Sequence, residues 1–152
     1  MVLTQKEATL IKDLLGQEQL CIDKYTKHAA SAHDPQLKAL FTKIAGVEQE
    51  HKATLSQIQQ GGVPPTGGNK PQSAPPSFTP YHTQGDTPEK QQDCYLCTDL
   101  LTTEKHASSL YDTCVFEFGQ TELRQVLNHI QTEEQQHGEQ IYRYMKANGM
   151  YS

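Results

Sequence analysis

Shifting the chain by 86 residues lays it on itself. Leu10 falls on Leu96, Asp13 on Asp99, Leu14 and Leu15 on Leu100 and Leu101, Glu18 on Glu104, and Tyr25 on Tyr111. The same shift carries on without a gap, to Leu37 on Leu123, Ile44 on Ile130, Glu48-Gln49 on Glu134-Gln135, and His51 on His137. One offset that serves apolar and polar positions alike marks an internal duplication. The fold must therefore be built from two copies of one unit.

That unit reads as a helical hairpin. Thr4-Gln5-Lys6-Glu7 has the spacing of a capping box and starts the first helix. Its apolar stripe runs Ile11, Leu15, Ile22, Tyr25 and Ala29. His33-Asp34-Pro35 makes the turn, because proline cannot continue one helix but suits the first turn of the next. The second helix shows Leu37, Leu40, Phe41, Ile44, Leu55 and Ile58, and Gly61-Gly62 stops it. In the second copy, Cys97, Leu101, Tyr111, Val115 and Phe118 stripe one helix up to Gly119. Leu123, Leu127, Ile130, Ile141 and Tyr144 stripe the other, which fades at Asn148-Gly149.

Between the copies, residues 61–88 hold seven of the eight prolines and five of the ten glycines. Such a stretch lacks backbone donors and carries excess chain entropy, so it reads as a linker and not as a packed element. The expected architecture is all-α: one four-helix bundle made of two antiparallel hairpins, residues 4–60 and 90–149, joined by a long Pro/Gly-rich crossover over 61–89.

Each stripe is interrupted at the same level by charged or imidazole side chains. Glu18 sits among Leu15 and Ile22, and Glu104 among Leu101 and Ser108. Glu48 and His51 sit between Ile44 and Leu55, and Glu134 and His137 between Ile130 and Ile141. All steps are three or four, so these groups point where core residues point. Unpaired carboxylates there each cost several kcal/mol, and the stripes hold no Lys or Arg at that level. Two divalent cations would balance four glutamates. Glu48-x-x-His51 and Glu134-x-x-His137 put both ligands on one helix face. Glu18 and Glu104 each precede the glutamate of their own Glu-x-x-His by 30 residues, which brings them level once the chain has turned back. One Glu from each of two helices and Glu-x-x-His from each of the other two is the ligand set of a dinuclear carboxylate centre. Carboxylate and imidazole together suit Fe or Mn, and the sequence does not choose between them. In this arrangement Glu48 and Glu134 would bridge or chelate the ions, Glu18 and Glu104 would be terminal, and His51 and His137 would give one imidazole per ion. The plain alternative is a degenerate site in which protonated Glu and neutral His bond to one another.

The remaining features constrain less. A net charge of −5 without a long basic run speaks against nucleic acid as a partner. No apolar stretch reaches the roughly 20 residues of a membrane span, and the N-terminus does not read as a secretory signal. Cys21, Cys94, Cys97 and Cys114 lie within helical patterns and form no disulfide framework. Cys94-x-x-Cys97 is a lone pair, read as two small residues early in a helix. His28, His33, His82, His106 and His129 have no mutual spacing and read as solvated or locally bonded.

The six candidate ligands resemble those of the ferritin-like superfamily, which includes rubrerythrins and bacterioferritins. In that superfamily a tyrosine two turns after the first glutamate lies near the metals, a place that Tyr25 and Tyr111 match. The strings TQKEATLIKDLLGQEQLCIDKYTKHA, LTTEKHASSLYDTCVFEF and LNHIQTEEQQHGEQIYRYMKANGMY resemble the Coat F family, spore coat proteins of endospore-forming Firmicutes, often clostridial. That resemblance implies synthesis in the mother-cell cytoplasm, deposition on the spore, and other spore coat proteins as partners; a homo-oligomer is compatible with it. With two Fe or Mn ions, ferrous oxidation, peroxide reduction or peroxide dismutation is the expected chemistry, O₂ or peroxide being the small-molecule substrate. The alternative is a purely structural coat component.

Overall fold

A computed structural model describes residues 2–66 and 74–151. The linker residues 67–73 lie outside the described residues. Among those described, all regular structure is helical: α1 (Gln5–Ser31), α2 (Pro35–Gln59), α3 (Pro88–Glu117) and α4 (Thr121–Ala147). None of these helices is long and apolar enough to cross a membrane.

The ends of the helices follow from local chemistry. Thr4 and Glu7 close the capping box at the start of α1. Asp34 caps α2 and Thr87 caps α3, each just ahead of a proline at the first helical position. Gln120 offers α4 no side-chain cap. Gly61 and Gly149 take φ of 90° and 64° just beyond α2 and α4, a conformation that other residues rarely adopt.

Within each hairpin the helices pack antiparallel, α1 on α2 and α3 on α4. The hairpins meet chiefly along α1 and α3, while α2 and α4 stand further apart. Tyr25 reaches Glu104 and Tyr111 reaches Glu18, so α1 and α3 are also antiparallel. It follows that α2 and α3 run the same way, and the chain between them must return along the bundle.

The duplication is visible as a pseudo-two-fold axis. The 86-residue shift also lays Glu7 on Asp93 and His33 on Gly119. Glu7 Oε1 accepts the Gly119 N–H at 3.0 Å, and Asp93 Oδ1 accepts the His33 N–H at 2.8 Å. Each hairpin thus places a buried carboxylate under the turn of the other, where backbone donors would otherwise be unpaired.

Two of the expected stripes shift by one residue. The buried face of α1 runs Ile11, Leu14, Glu18, Cys21, Ile22 and Tyr25, so Ile22 is buried as expected while Leu14 replaces the half-buried Leu15. That of α3 runs Cys97, Leu100, Glu104, Ala107, Tyr111 and Cys114, with Leu101, Ser108 and Val115 half-buried. These two helices each have two neighbours close by, so the centre of the buried face turns towards the angle between them. The stripes of α2 and α4 are buried as expected.

The linker departs from its composition as well. Residues 74–87 are irregular yet anchored. The Phe78 ring meets Tyr144 edge-on at 5.4 Å. Gln36 exchanges hydrogen bonds with the Thr79 backbone, and Asn148 Oδ1 accepts the N–H groups of Tyr81 and His82. His82 is neither solvated nor bonded to near neighbours in sequence: its side chain is 4% exposed, and Nε2 lies 2.8 Å from Asp93 Oδ2 on α3. His28 likewise bonds across to α3, at Asp99. One aromatic side chain and a few side-chain acceptors are enough to hold a segment that has no secondary structure of its own.

Glu7 gives a test of the turn contacts. It accepts the Gly119 N–H and the Thr4 N–H, and these bonds hold its carboxyl below the usual value of 4.5. Glu7→Ala is expected to destabilise the fold by about 2 kcal/mol in denaturant or thermal unfolding. Because the folded value is lowered, this contribution is complete above about pH 4.5 and fades as the pH falls through the lowered value. The wild type and the variant should therefore converge in acid.

Candidate metal centre

Two apolar clusters make up the core. One gathers Tyr25, Leu37, Phe41, Ile44, Leu100, Ile141 and Tyr144, and the other Ile11, Leu14, Leu55, Tyr111, Leu123, Leu127 and Ile130. Between them lies a polar layer with Glu18 from α1, Glu48 and His51 from α2, Glu104 from α3, and Glu134 and His137 from α4. None of the six is more than 4% exposed. Helical spacing sets them there, since each lies one turn from a core residue on the same face.

The six fall into two overlapping groups. Glu18, Glu48, His51 and Glu134 form one; Glu48, Glu104, Glu134 and His137 form the other. In each, one donor atom per residue lies within 4.8 Å of all the rest, so both groups could hold a metal ion. Glu48 and Glu134 belong to both. The pseudo-symmetry extends to distances: His51 Nδ1 is 2.9 Å from Glu134 Oε1, and His137 Nδ1 is 2.9 Å from Glu48 Oε1. The two imidazoles are stacked at 6.0 Å.

Tyr25 and Tyr111 bind crosswise. Tyr25 OH donates to Glu104 Oε1 at 2.6 Å, and Tyr111 OH donates to Glu18 Oε1 at 2.5 Å. Each phenol thereby fixes one oxygen of a glutamate on the opposite hairpin. The second oxygen, Oε2 in both cases, has no hydrogen-bond partner. The same holds for Glu48 Oε1 and Oε2, Glu134 Oε2 and His137 Nδ1. The 2.9 Å approach of His137 to Glu48 is therefore a close contact without hydrogen-bond alignment. Buried polar atoms are paired in the great majority of cases, so six atoms in one layer that are unpaired among the described residues are in a position to receive a cation or protons.

Charge in the layer is strained in the same sense. Burial raises the Glu48 carboxyl above its usual range, with proximity to Glu18 adding to the effect. Burial pushes Glu104 up to about 8, helped by Glu134. Burial acts on Glu134 too, but the nearby Glu104 carboxyl and both histidines outweigh it and hold Glu134 low. Burial disfavours charge on His51 and His137, yet the surrounding carboxylates reverse this and raise both. Burial and the adjacent glutamates keep both phenols protonated, as donors must be. Protons and divalent cations are thus alternative ways to neutralise the same layer.

The structure brings together all six candidate residues that the spacing singled out, and Tyr25 and Tyr111, which the resemblance placed near them, bond to Glu104 and Glu18. It also adds Glu133, whose Oε1 lies 3.0 Å from His51 Nε2. That bond holds the Glu133 carboxyl low. Next to Glu134 on a polar helix, Glu133 reads in sequence as a solvated residue; its only signal is that the first hairpin has Val47 in the matching place. Cys21 is buried beside the layer, and burial followed by the four glutamates keeps it a thiol. Cys94 and Cys97 are free thiols, and neither belongs to the two candidate groups.

Residues 92–152 match the Coat F domain. The match covers all of α4 and all but the first turn of α3, which is one hairpin. No curated protein and no solved structure matches the chain. The Coat F hairpin supplies Glu104, Glu134 and His137, and the centre takes its other half from residues 4–60.

If the layer is arranged for a cation, its metal-free form carries an excess of buried carboxylate. Glu48→Gln removes one such group and keeps the shape. Chelator-treated Glu48→Gln is expected to be about 1–2 kcal/mol more stable than chelator-treated wild type in thermal unfolding. The reverse order would mean that protons already satisfy the layer.

Proposed function

We propose that the chain is a spore coat protein that holds two Fe or Mn ions between its hairpins and oxidises ferrous iron or consumes peroxide there. The Coat F match over residues 92–152 supports the coat assignment, and the sequence resemblance of residues 4–60 to the same family extends it to the first hairpin. Other coat proteins are then its partners. The observation that carries the metal reading is the set of six unpaired buried atoms on Glu18, Glu48, Glu104, Glu134 and His137.

Glu48 and Glu134, common to both groups, would be shared between the two ions. Glu18 with His51, and Glu104 with His137, complete the two ends. Bound there, such a pair supplies Lewis acidity and electron exchange in a water-poor site. The chain's own residues do the rest. Tyr25 and Tyr111 orient the terminal glutamates from the opposite hairpin, and this support costs nothing at the moment of reaction because it is already in place. The two apolar clusters keep bulk water off the layer from both ends.

Elemental analysis of protein made with ample iron or manganese tests the reading. Two ions per chain are expected, falling below one in Glu48→Ala and in Glu134→Ala. Less than one ion in the wild type, unchanged in both variants, would end it. Peroxide turnover separates a working centre from a structural staple: Glu18→Ala and Glu104→Ala should lower turnover while leaving incorporation into the coat unchanged.

A further inference from the structure

The pseudo-two-fold axis relates the six ligands closely, but it fails just outside them. His51 Nε2 bonds Glu133 Oε1 at 3.0 Å, and the same oxygen lies 3.1 Å from His129 Nε2 one turn back on α4. The 86-residue shift places Val47 opposite Glu133 and Lys43 opposite His129. Valine has no acceptor to offer, and among the described residues every carboxylate contact of His137 is made at Nδ1, with none at Nε2. The inner distances do not share this difference, since both Nδ1 atoms lie 2.9 Å from the central glutamate of the other hairpin, although only the His51 contact is aligned as a hydrogen bond.

A carboxylate on the far nitrogen of a histidine fixes the tautomer. It places the proton on Nε2, leaves the Nδ1 lone pair facing the layer, stops the ring from turning and raises its basicity. His51 has this support and His137 does not. Building on the metal reading above, we infer that Glu133 is a positioning residue that makes the two halves of the centre unequal. The half with Glu18 and His51 retains a divalent cation more tightly, and the half with Glu104 and His137 exchanges its cation more readily.

Calorimetric titration of chelator-treated protein with Mn²⁺ tests this. Wild type is expected to bind two ions in two steps of different affinity. Glu133→Gln should weaken the tighter step about 10- to 100-fold, the usual effect of losing such a partner, and leave the weaker step and the total of two unchanged. Glu104→Ala should keep only the step that responds to Glu133→Gln, whereas Glu18→Ala should keep only the step that does not. Val47→Glu should tighten the weaker step. A Glu133→Gln protein that still binds two ions with both steps unchanged, or with both weakened alike, overturns the inference and leaves the metal reading standing. A wild type that takes up no Mn²⁺ overturns both.

Discussion

Four glutamates and two histidines in a dry layer form the constraint on which the rest of the structure depends. Buried carboxylates are tolerated only where something of opposite charge or a donor meets them. Here the phenols of Tyr25 and Tyr111 meet one oxygen each on Glu104 and Glu18. The outer oxygens of those glutamates, and both oxygens of Glu48, are left unpaired. The layer therefore opposes folding by itself, and the apolar clusters on either side must outweigh it. Leu14, Leu55, Tyr111 and Ile130 press from one end, with Tyr25, Ile44, Leu100 and Ile141 pressing from the other. If a cation loads such a layer, it would offset this cost and stabilise the fold.

The duplication explains how one hairpin sequence can meet that demand. To the layer a single hairpin brings one Glu, one Glu-x-x-His and one tyrosine that bonds a layer glutamate of the other hairpin. Paired about a two-fold axis, two such units complete each other: Tyr25 finds Glu104, Tyr111 finds Glu18, Glu7 finds the Gly119 N–H, and Asp93 finds the His33 N–H. All four are contacts between hairpins. The Coat F match spans one hairpin, and that hairpin alone would leave its buried groups without partners. Covalent linkage through residues 61–87 keeps the second hairpin always at hand, and the anchored part of that segment ties it to the α4 end through Phe78, Tyr81 and His82.

The sequence made the candidate ligands legible because two periodicities agree on them. Helical spacing puts Glu18, Glu48 and His51 on an inward face, and the 86-residue shift repeats them at Glu104, Glu134 and His137. Where only one of these signals exists, reading is harder. Leu14 and Leu15 are both apolar and both repeated, so spacing does not say which is buried; the packing of α1 against α2 and α3 together decides for Leu14. Glu7 and Asp93 perform the same task with different side chains, which identity matching passes over. His82 and Asp93 are brought together by a segment with no periodicity at all.

Glu133 is hidden for the opposite reason: it matters because the repeat is broken there. After a duplication, positions that touch the shared layer from both sides are held alike, since each must satisfy the same cluster of charges. Positions just outside the layer are under no such shared demand and are free to diverge. Val47 against Glu133, Cys21 against Ala107, and Lys24 against Leu110 are all of this kind. Lys24 bonds Asp99 and Thr103 on α3, while Leu110, at the matching place, packs against the apolar cluster that contains Tyr111. Matching inner ligands thus sit in unlike surroundings. A histidine's strength as a ligand depends on its far nitrogen as much as on its near one, so sameness of ligands does not make the two halves equivalent. In a duplicated protein the departures from symmetry nearest the site are where its two halves acquire different properties.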